Sequence, residues 1–115
     1  MIKIQIVLYA VTFDKRSDQY KILSNEENNF IESTLELTSN IDYEYQLNIL
    51  FSKYFDFSIQ NVKKINLDPI LENNILSLPV LCLIPYIDSV REGYLIPAKE
   101  NAQYIPSVRK ILALL

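Results

Sequence analysis

The sequence is poor in the residues from which most enzyme motifs are built. Among its 115 residues there is one glycine, Gly93, and there is no histidine and no tryptophan. Phosphate-cradling loops need several glycines so that the backbone can approach the phosphate, so Walker-A and dinucleotide fingerprints are absent. Without histidine, a zinc-hydrolase centre, a Ser–His–Asp triad and a Cys–His pair are all excluded. The single cysteine, Cys82, cannot form an internal disulfide. It sits in the apolar run LPVLCLIPY, where a buried core thiol is expected and a reactive one is not. A reducing compartment, the cytoplasm, is the expected location. The charge is also thin: 11 basic against 14 acidic residues give a net charge of −3. The only adjacent basic pairs are Lys15–Arg16, Lys63–Lys64 and Arg109–Lys110. No basic stripe is available for a phosphate backbone, so nucleic acid is not expected as the main partner. The near-continuous apolar run from Ile75 to Ile87 spans 13 residues and contains Pro79 and Pro85. That is too short for a transmembrane helix. The start, MIKIQIVLYAV, lacks a small-residue cleavage site and reads as a strand, not as a signal peptide.

Aliphatic residues, asparagine, lysine and tyrosine are abundant instead. Half of the residues are hydrophobic, which argues against disorder. The length fits one domain with a true core, here residues 1–115. The bias toward Asn, Ile, Lys and Tyr is that of an AT-rich genome, as many bacteriophages have.

From Ile2 to Phe13 the chain alternates with apolar residues on both faces: Ile4, Ile6, Leu8 and Ala10 on one, Val7, Tyr9, Val11 and Phe13 on the other. Such a strand is buried on both sides and central. DKRSD is a polar turn and Tyr20–Leu23 a returning strand, so a hairpin is expected. Residues 24–38 are ambiguous. Ser24 followed by Glu27 is a capping-box pattern, which leans the first half toward helix, whereas Ile31, Ser33, Leu35 and Leu37 alternate as in a half-buried strand. Residues 39–57, SNIDYEYQLNILFSKYFDF, predict a helix capped by Ser39 or Asn40 and ending near Phe55. Its apolar stripe is Tyr43, Leu47, Leu50, Phe51 and Tyr54, with Asp42, Gln46, Lys53 and Asp56 off it. A short strand is expected at Val62–Leu67 and a turn at Asp68–Pro69. ILSLPVLCLIPYI predicts a second strand apolar on both faces, with pairing broken or one-sided at Pro79 and Pro85. DSVREG and YLIPA then predict a second hairpin. Pro106 opens a C-terminal helix with Val108, Ile111, Leu112 and Leu115 on one face.

This order of elements resembles the Nudix fold. VLYAVTFDKRSDQYKILS is similar to its opening hairpin, DYEYQLNILFSKYFDF falls where its catalytic helix lies, and ILSLPVLCLIPYI matches the strand that follows. The resemblance implies a mixed α/β (α+β) domain with a mostly antiparallel sheet flanked by two or three helices. It also implies a signature, G-x5-E-x7-R-E-U-x-E-E-x-G-U, whose glutamates hold divalent metal ions that polarise a diphosphate. Mg²⁺ demands hard oxygen ligands near octahedral geometry. Here the helix reads QLNILFSKYFDF, with no Arg–Glu or Glu–Glu pair and no terminal glycine. Only Asp42 and Glu44 precede its apolar part, so no catalytic residue, metal ligand or cofactor ligand carries over.

Other acids pair in sequence: Glu26–Glu27, Glu32/Glu36, Asp42/Glu44, Asp68/Glu72 and Asp88/Glu92. None lies in an apolar context that would shift its pKa, and exposed acids on turns and helix starts are the default. The tyrosines offer more. Tyr43, Tyr45 and Tyr54 lie on or beside one helix, and Tyr86 and Tyr94 flank the second turn, which also carries Arg91. Tyrosine and arginine are enriched at protein interfaces, although packing at the rim of the core is the plainer use of a tyrosine. The expectation is a non-catalytic structural or binding subunit. It would act through these residues on a protein partner or a second copy of itself in a larger assembly. The alternative is a nucleotide- or ligand-binding domain with divergent metal-dependent hydrolase activity, its carboxylates drawn from residues 25–36.

Overall fold

The computed structural model describes residues 2–38, 42–85, 87 and 89–98. Strand β1, Lys3–Asp14, is the spine. It pairs in parallel with β6, Ile75–Ile84, from Lys3↔Ile75 to Thr12↔Ile84. Its other edge is shared along its length. β2, Gln19–Ser24, pairs antiparallel with residues 11–14, and β3, Ser33–Glu36, with residues 5–8. β4, Lys63–Asn66, and β5, Ile70–Glu72, divide the far edge of β6 in the same way. β7, Tyr94–Pro97, pairs with β2. The result is a seven-stranded, mostly antiparallel mixed sheet with the order β4-β6-β1-β2-β7. Among the described residues one α-helix, α1 at Tyr43–Tyr54, and one 3₁₀ turn at Ile59–Asn61 accompany it. The predicted C-terminal helix lies outside the described residues.

The two-sided strands behave as their pattern demands. Ile6, Leu8 and Ala10 join Leu47, Leu50, Phe51 and Val80 in the core under α1. Val7, Tyr9 and Val11 join Ile22, Phe30, Leu81 and Ile96 in a second core on the opposite face. Pairing at Pro79 is one-sided, because proline has no N–H to return a bond. Pro79 falls in the gap between β5 and β4, where its carbonyl accepts from the Leu67 N–H at 3.0 Å. Pro85 follows the last residue of the strand.

Helix α1 begins at Asp42, whose carboxylate accepts from the Glu44 N–H at 3.3 Å. It ends where Phe55 turns extended and stacks with Phe51 at 4.6 Å between ring centroids. Four of the five stripe residues are buried: Leu47, Leu50, Phe51 and Tyr54. Gln46, read as lying off the stripe, is buried with them. Its side-chain amide lies 3.4 Å from the Thr38 carbonyl and closes the gap between the helix and the end of β3.

Two expectations are corrected. Residues 25–32 are a bent loop without a helix, because Ser24 is used differently. Its hydroxyl donates to the Asn29 carbonyl at 2.7 Å and accepts from Glu26 and Ile31 N–H groups, folding the loop back on itself. Such local bonds compete with helix formation, and NEENN offers no apolar stripe to outweigh them. β7 does not form a hairpin with β6. Both edges of β6 are already occupied, whereas β2 has a free edge. A hairpin that the sequence reading missed joins β5 to β6. Asn73 and Asn74 turn it with φ of 51° and 62°, the left-handed pair that a two-residue turn requires and that asparagine tolerates.

The lone glycine is also placed by geometry. Gly93 has φ +79°, and a Cβ there would sit 2.8 Å from the Ser24 carbonyl oxygen. The chain crosses β2 at this point on its way into β7.

Candidate functional site

The side chains of α1 and the acids at its start are engaged in structural contacts. The inner side of α1 is filled by Leu47, Leu50, Phe51 and Tyr54. Of the acids at its start, Asp42 caps the helix and Glu44 faces Lys64 at 3.7 Å. Glu32 accepts a hydrogen bond from the Tyr9 hydroxyl at 2.9 Å. Burial first, and then Glu32, raises the pKa of that phenol, so it stays protonated and keeps donating. Glu32 and Glu36 lie four residues apart on extended chain, roughly 13 Å at the usual strand rise, and cannot share one ion. Glu92 faces Lys53 at 3.9 Å. Asp88 lies outside the described residues. Among the described residues no three Cys, Asp or Glu side chains are grouped to hold a metal ion. The donor set does not fit the divalent ions that the Nudix resemblance implies. Cys82 is buried, and its thiol is pushed up to about 12 by desolvation, an inert state.

The structure separates the interface candidates. Tyr54 is 2% exposed and its hydroxyl donates to Asn25 at 2.9 Å, which makes it a packing residue with no face for a partner. Tyr43 is half-buried, and burial raises its pKa. Tyr45 and Tyr94 are exposed, at 58% and 46%. Arg91 is exposed and anchored at the helix C-terminus, where its N–H donates to the Tyr54 carbonyl at 2.7 Å and its guanidinium to the Ser52 carbonyl at 3.4 Å. A cation there complements the carbonyl end of the helix dipole. Tyr86 lies outside the described residues. Sequence reasoning missed Ile49, which is 48% exposed. It stands one turn after Tyr45 and off the buried stripe, and that offset was the available signal. The outer side of α1 thus presents Tyr45, Ile49, Ser52 and Lys53, with Arg91 and Glu92 beside its end. A depression of about 360 Å³ there is lined by Asn48, Ser52, Asp56, Phe57, Gln60 and Arg91 among others.

A deeper feature lies at the other end of the sheet. Where β1 meets the hairpin turn, a cleft of about 440 Å³ is lined by Thr12, Asp14, Lys15, Arg16, Lys21 and Leu95 together with Phe13 and Ile87. Asp14 organises its rim. Its carboxylate accepts from the Ser17 hydroxyl at 2.8 Å and the Arg16 N–H at 3.0 Å, and pairs with Lys21 at 3.1 Å. The Ser17 bond, then Lys21, then the Arg16 N–H pull its pKa down to about 2. On the opposite face of the sheet, a second cleft of about 450 Å³ is lined mainly by apolar residues such as Val11, Tyr20 and Leu83, and shares Thr12 and Phe13 with the first. The sequence reading noted Lys15–Arg16 only as a scattered basic pair; proximity to Thr12 and Lys21 emerges only from the hairpin register.

No family model and no curated protein matches the sequence. Solved structures do match its shape. The Nudix domain of Shewanella oneidensis NrtR, solved in complex with ADP ribose, superposes with a TM-score of 0.61 at 12% identity, over 87% of this chain and 75% of that one. A MutT/nudix family protein from Enterococcus faecalis superposes with a TM-score of 0.59 at 14% identity, over 83% of this chain. This chain accounts for only 43% of the length of that protein. At such identities the likeness establishes architecture, and the fold of this chain is Nudix-like.

Proposed function

We propose that the chain is a non-catalytic Nudix-like domain that works as a binding subunit of a larger assembly, through contacts with a protein partner or a second copy. The observation that carries this reading is the division of labour on α1. Its inner side is committed to packing and its acids to a cap and an ion pair, while its outer side exposes Tyr45 and Ile49. Large apolar groups ringed by polar ones are the usual anatomy of a contact surface. Arg91, Glu92 and Tyr94 extend that surface at the helix end. Tyr43 adds its half-buried ring at the other end. The test compares the full chain with its Ile49→Asp variant, each captured by affinity tag from its native source. A stoichiometric partner retained by the parent and lost by the variant supports the reading; identical captures contradict it. Light scattering of both proteins separates a second copy, seen as a doubled mass that the variant halves, from a different partner.

A ligand-binding role is the second reading. It draws on the clefts beside Thr12 and on the similarity to a domain solved with ADP ribose. It predicts that ADP ribose raises the melting temperature of the chain, because a ligand that prefers the native state stabilises it by mass action. A divergent hydrolase would also require Mg²⁺ for the shift, and no shift with or without Mg²⁺ would contradict this second reading.

A further inference from the structure

The cover that α1 gives to its side of the sheet stops short of one end. On that side of β1, Ala10, Leu8 and Ile6 are at most 1% exposed, whereas Ile4 is 38% exposed and Ile2, just before the strand, 55%. The apolar alternation thus runs on past the cover. Pairing lines up its neighbours: Leu76 of β6 stands beside Ile4, and Leu71 of β5 beside Leu76. Leu37, whose N–H donates to the Ile4 carbonyl at 2.8 Å, continues the row just past β3. Leu71 is 60% exposed and Leu76 half-buried. Successive side chains on a strand point to opposite faces, so the charges at this end, Lys3, Glu36 and Glu72, project on the other side of the sheet, where Gln5 bonds Ser77 at 3.0 Å. The result is a ledge. Its floor is apolar, uncharged and runs across β5, β6 and β1. Its wall is the start of α1, tied to the end of β3 through Gln46 and Thr38, where half-buried Tyr43 packs against the core.

We propose that a second copy of this chain covers the ledge, with the two floors packed on each other across a two-fold axis. Charge and area favour that occupant. A floor without charge opposes no like charge when it meets itself, and the charged side of the sheet stays in water; a strongly acidic or basic partner would find no counter-charge there. Sheets stack about 10 Å apart and a helix is about as thick, so a second sheet extends the layer that α1 begins. Ile2, Ile4, Leu71 and Leu76 expose roughly 300 Å² of apolar surface, a size at which a patch on a single chain is often functional. That is less than half of the about 800 Å² that each partner gives a standard interface, so the pair is weak and forms at high concentration. This pairing rests on the reading of the chain as a contact subunit, yet its surface is separate from Tyr45 and Ile49.

The test is sedimentation equilibrium of the full chain from about 10 µM to about 1 mM, the range in which weak pairs form, with ¹⁵N–¹H spectra recorded across the same dilution. The average mass is expected to climb from one copy toward two, and the amides of Ile4, Leu71 and Leu76 to move as it does. Leu71→Asp, at an exposed position that the fold tolerates, is expected to weaken pairing at least about tenfold, because it sets a charge against apolar groups. Ile4→Asp should act in the same direction, and Ile49→Asp should leave the pairing unchanged. A mass of one copy at every concentration overturns the pairing. So does a dimer that Leu71→Asp leaves unchanged while its spectrum stays otherwise intact. A dimer lost in Ile49→Asp and kept in Leu71→Asp overturns the ledge and supports the outer side of α1 in its place. A monomer that still captures a different protein through Ile49 rejects this pairing without rejecting the contact role.

Discussion

Helix α1 and the β1–β2 hairpin turn face the same side of one sheet, yet they spend their polar groups in opposite ways. On α1 the polar groups are matched locally: Asp42 caps, Glu44 meets Lys64, Tyr54 meets Asn25, and Arg91 meets the last carbonyls. At the hairpin turn a hydroxyl is buried without a partner and two cations are left unpaired among the described residues. The polar groups of α1 are committed to structure. Two buried hydroxyls lack a partner among the described residues, Thr12 near the hairpin end of β1 and Ser33 on β3 beside Leu8. Satisfied polar groups consolidate structure; a buried hydroxyl left unpaired is a local cost that a substitution can relieve.

The contrast is broken most strongly from the packed side. Phe51 has no exposed surface and packs against a tilted Phe55 ring and, edge to face, against Phe57. Phe51→Ala is expected to cost about 3–5 kcal/mol, the usual range for an aromatic core truncation, measured by urea denaturation. Gly93→Ala comes next. It combines a positive φ with a Cβ 2.8 Å from a backbone oxygen, and a loss of about 1–3 kcal/mol is expected from strain alone. The hairpin side should respond with the opposite sign. Thr12→Val removes an unpaired hydroxyl, so stability of the ligand-free chain should hold or rise by up to about 1 kcal/mol. A clear loss would show that the hydroxyl is already satisfied. Asp14 gives the smallest effect and sharpens the account of the rim. Because its folded pKa is pulled down to about 2 from an ordinary 3.8, its contribution is present above the ordinary value and is lost as pH falls through 2. Asp14→Asn should therefore flatten the stability profile between pH 4 and 2 and leave the profile above pH 5 parallel to the parent. Cys82 supplies a control on integrity: its thiol should react with a disulfide reagent only as fast as the chain unfolds.

How much of this was legible in the sequence depended on whether the signal was local. β1 and β6 were legible because apolar residues on both faces leave no other solution, and α1 because its stripe recurs at helical spacing. The first hairpin, the strand at Lys63–Asn66 and the accommodation of Pro79 were legible for the same reason. What failed was pairing decided elsewhere in the sheet. YLIPA carries nothing to say that β6 has no free edge, and a capping box at Ser24 does not reveal that the hydroxyl folds a loop instead. Asn73–Asn74 was a local turn signal that the neighbouring Asp68–Pro69 obscured. The absence of a Nudix signature on α1 was fully legible. The cleft was not, because Thr12, Arg16 and Lys21 meet only through the hairpin register, and a threonine in an apolar strand has no sequence mark of being unpaired.

The most direct test of the central claim is a titration of the full chain with Mn²⁺, read by paramagnetic broadening of its ¹⁵N–¹H spectrum. If α1 is a packing helix, broadening should stay weak, scattered over exposed acids and unsaturated, with none concentrated at Glu36, Asp42 and Glu44. Saturable broadening focused on those residues at micromolar Mn²⁺ would mean that the helix start holds a metal after all, and the non-catalytic reading would have to be abandoned.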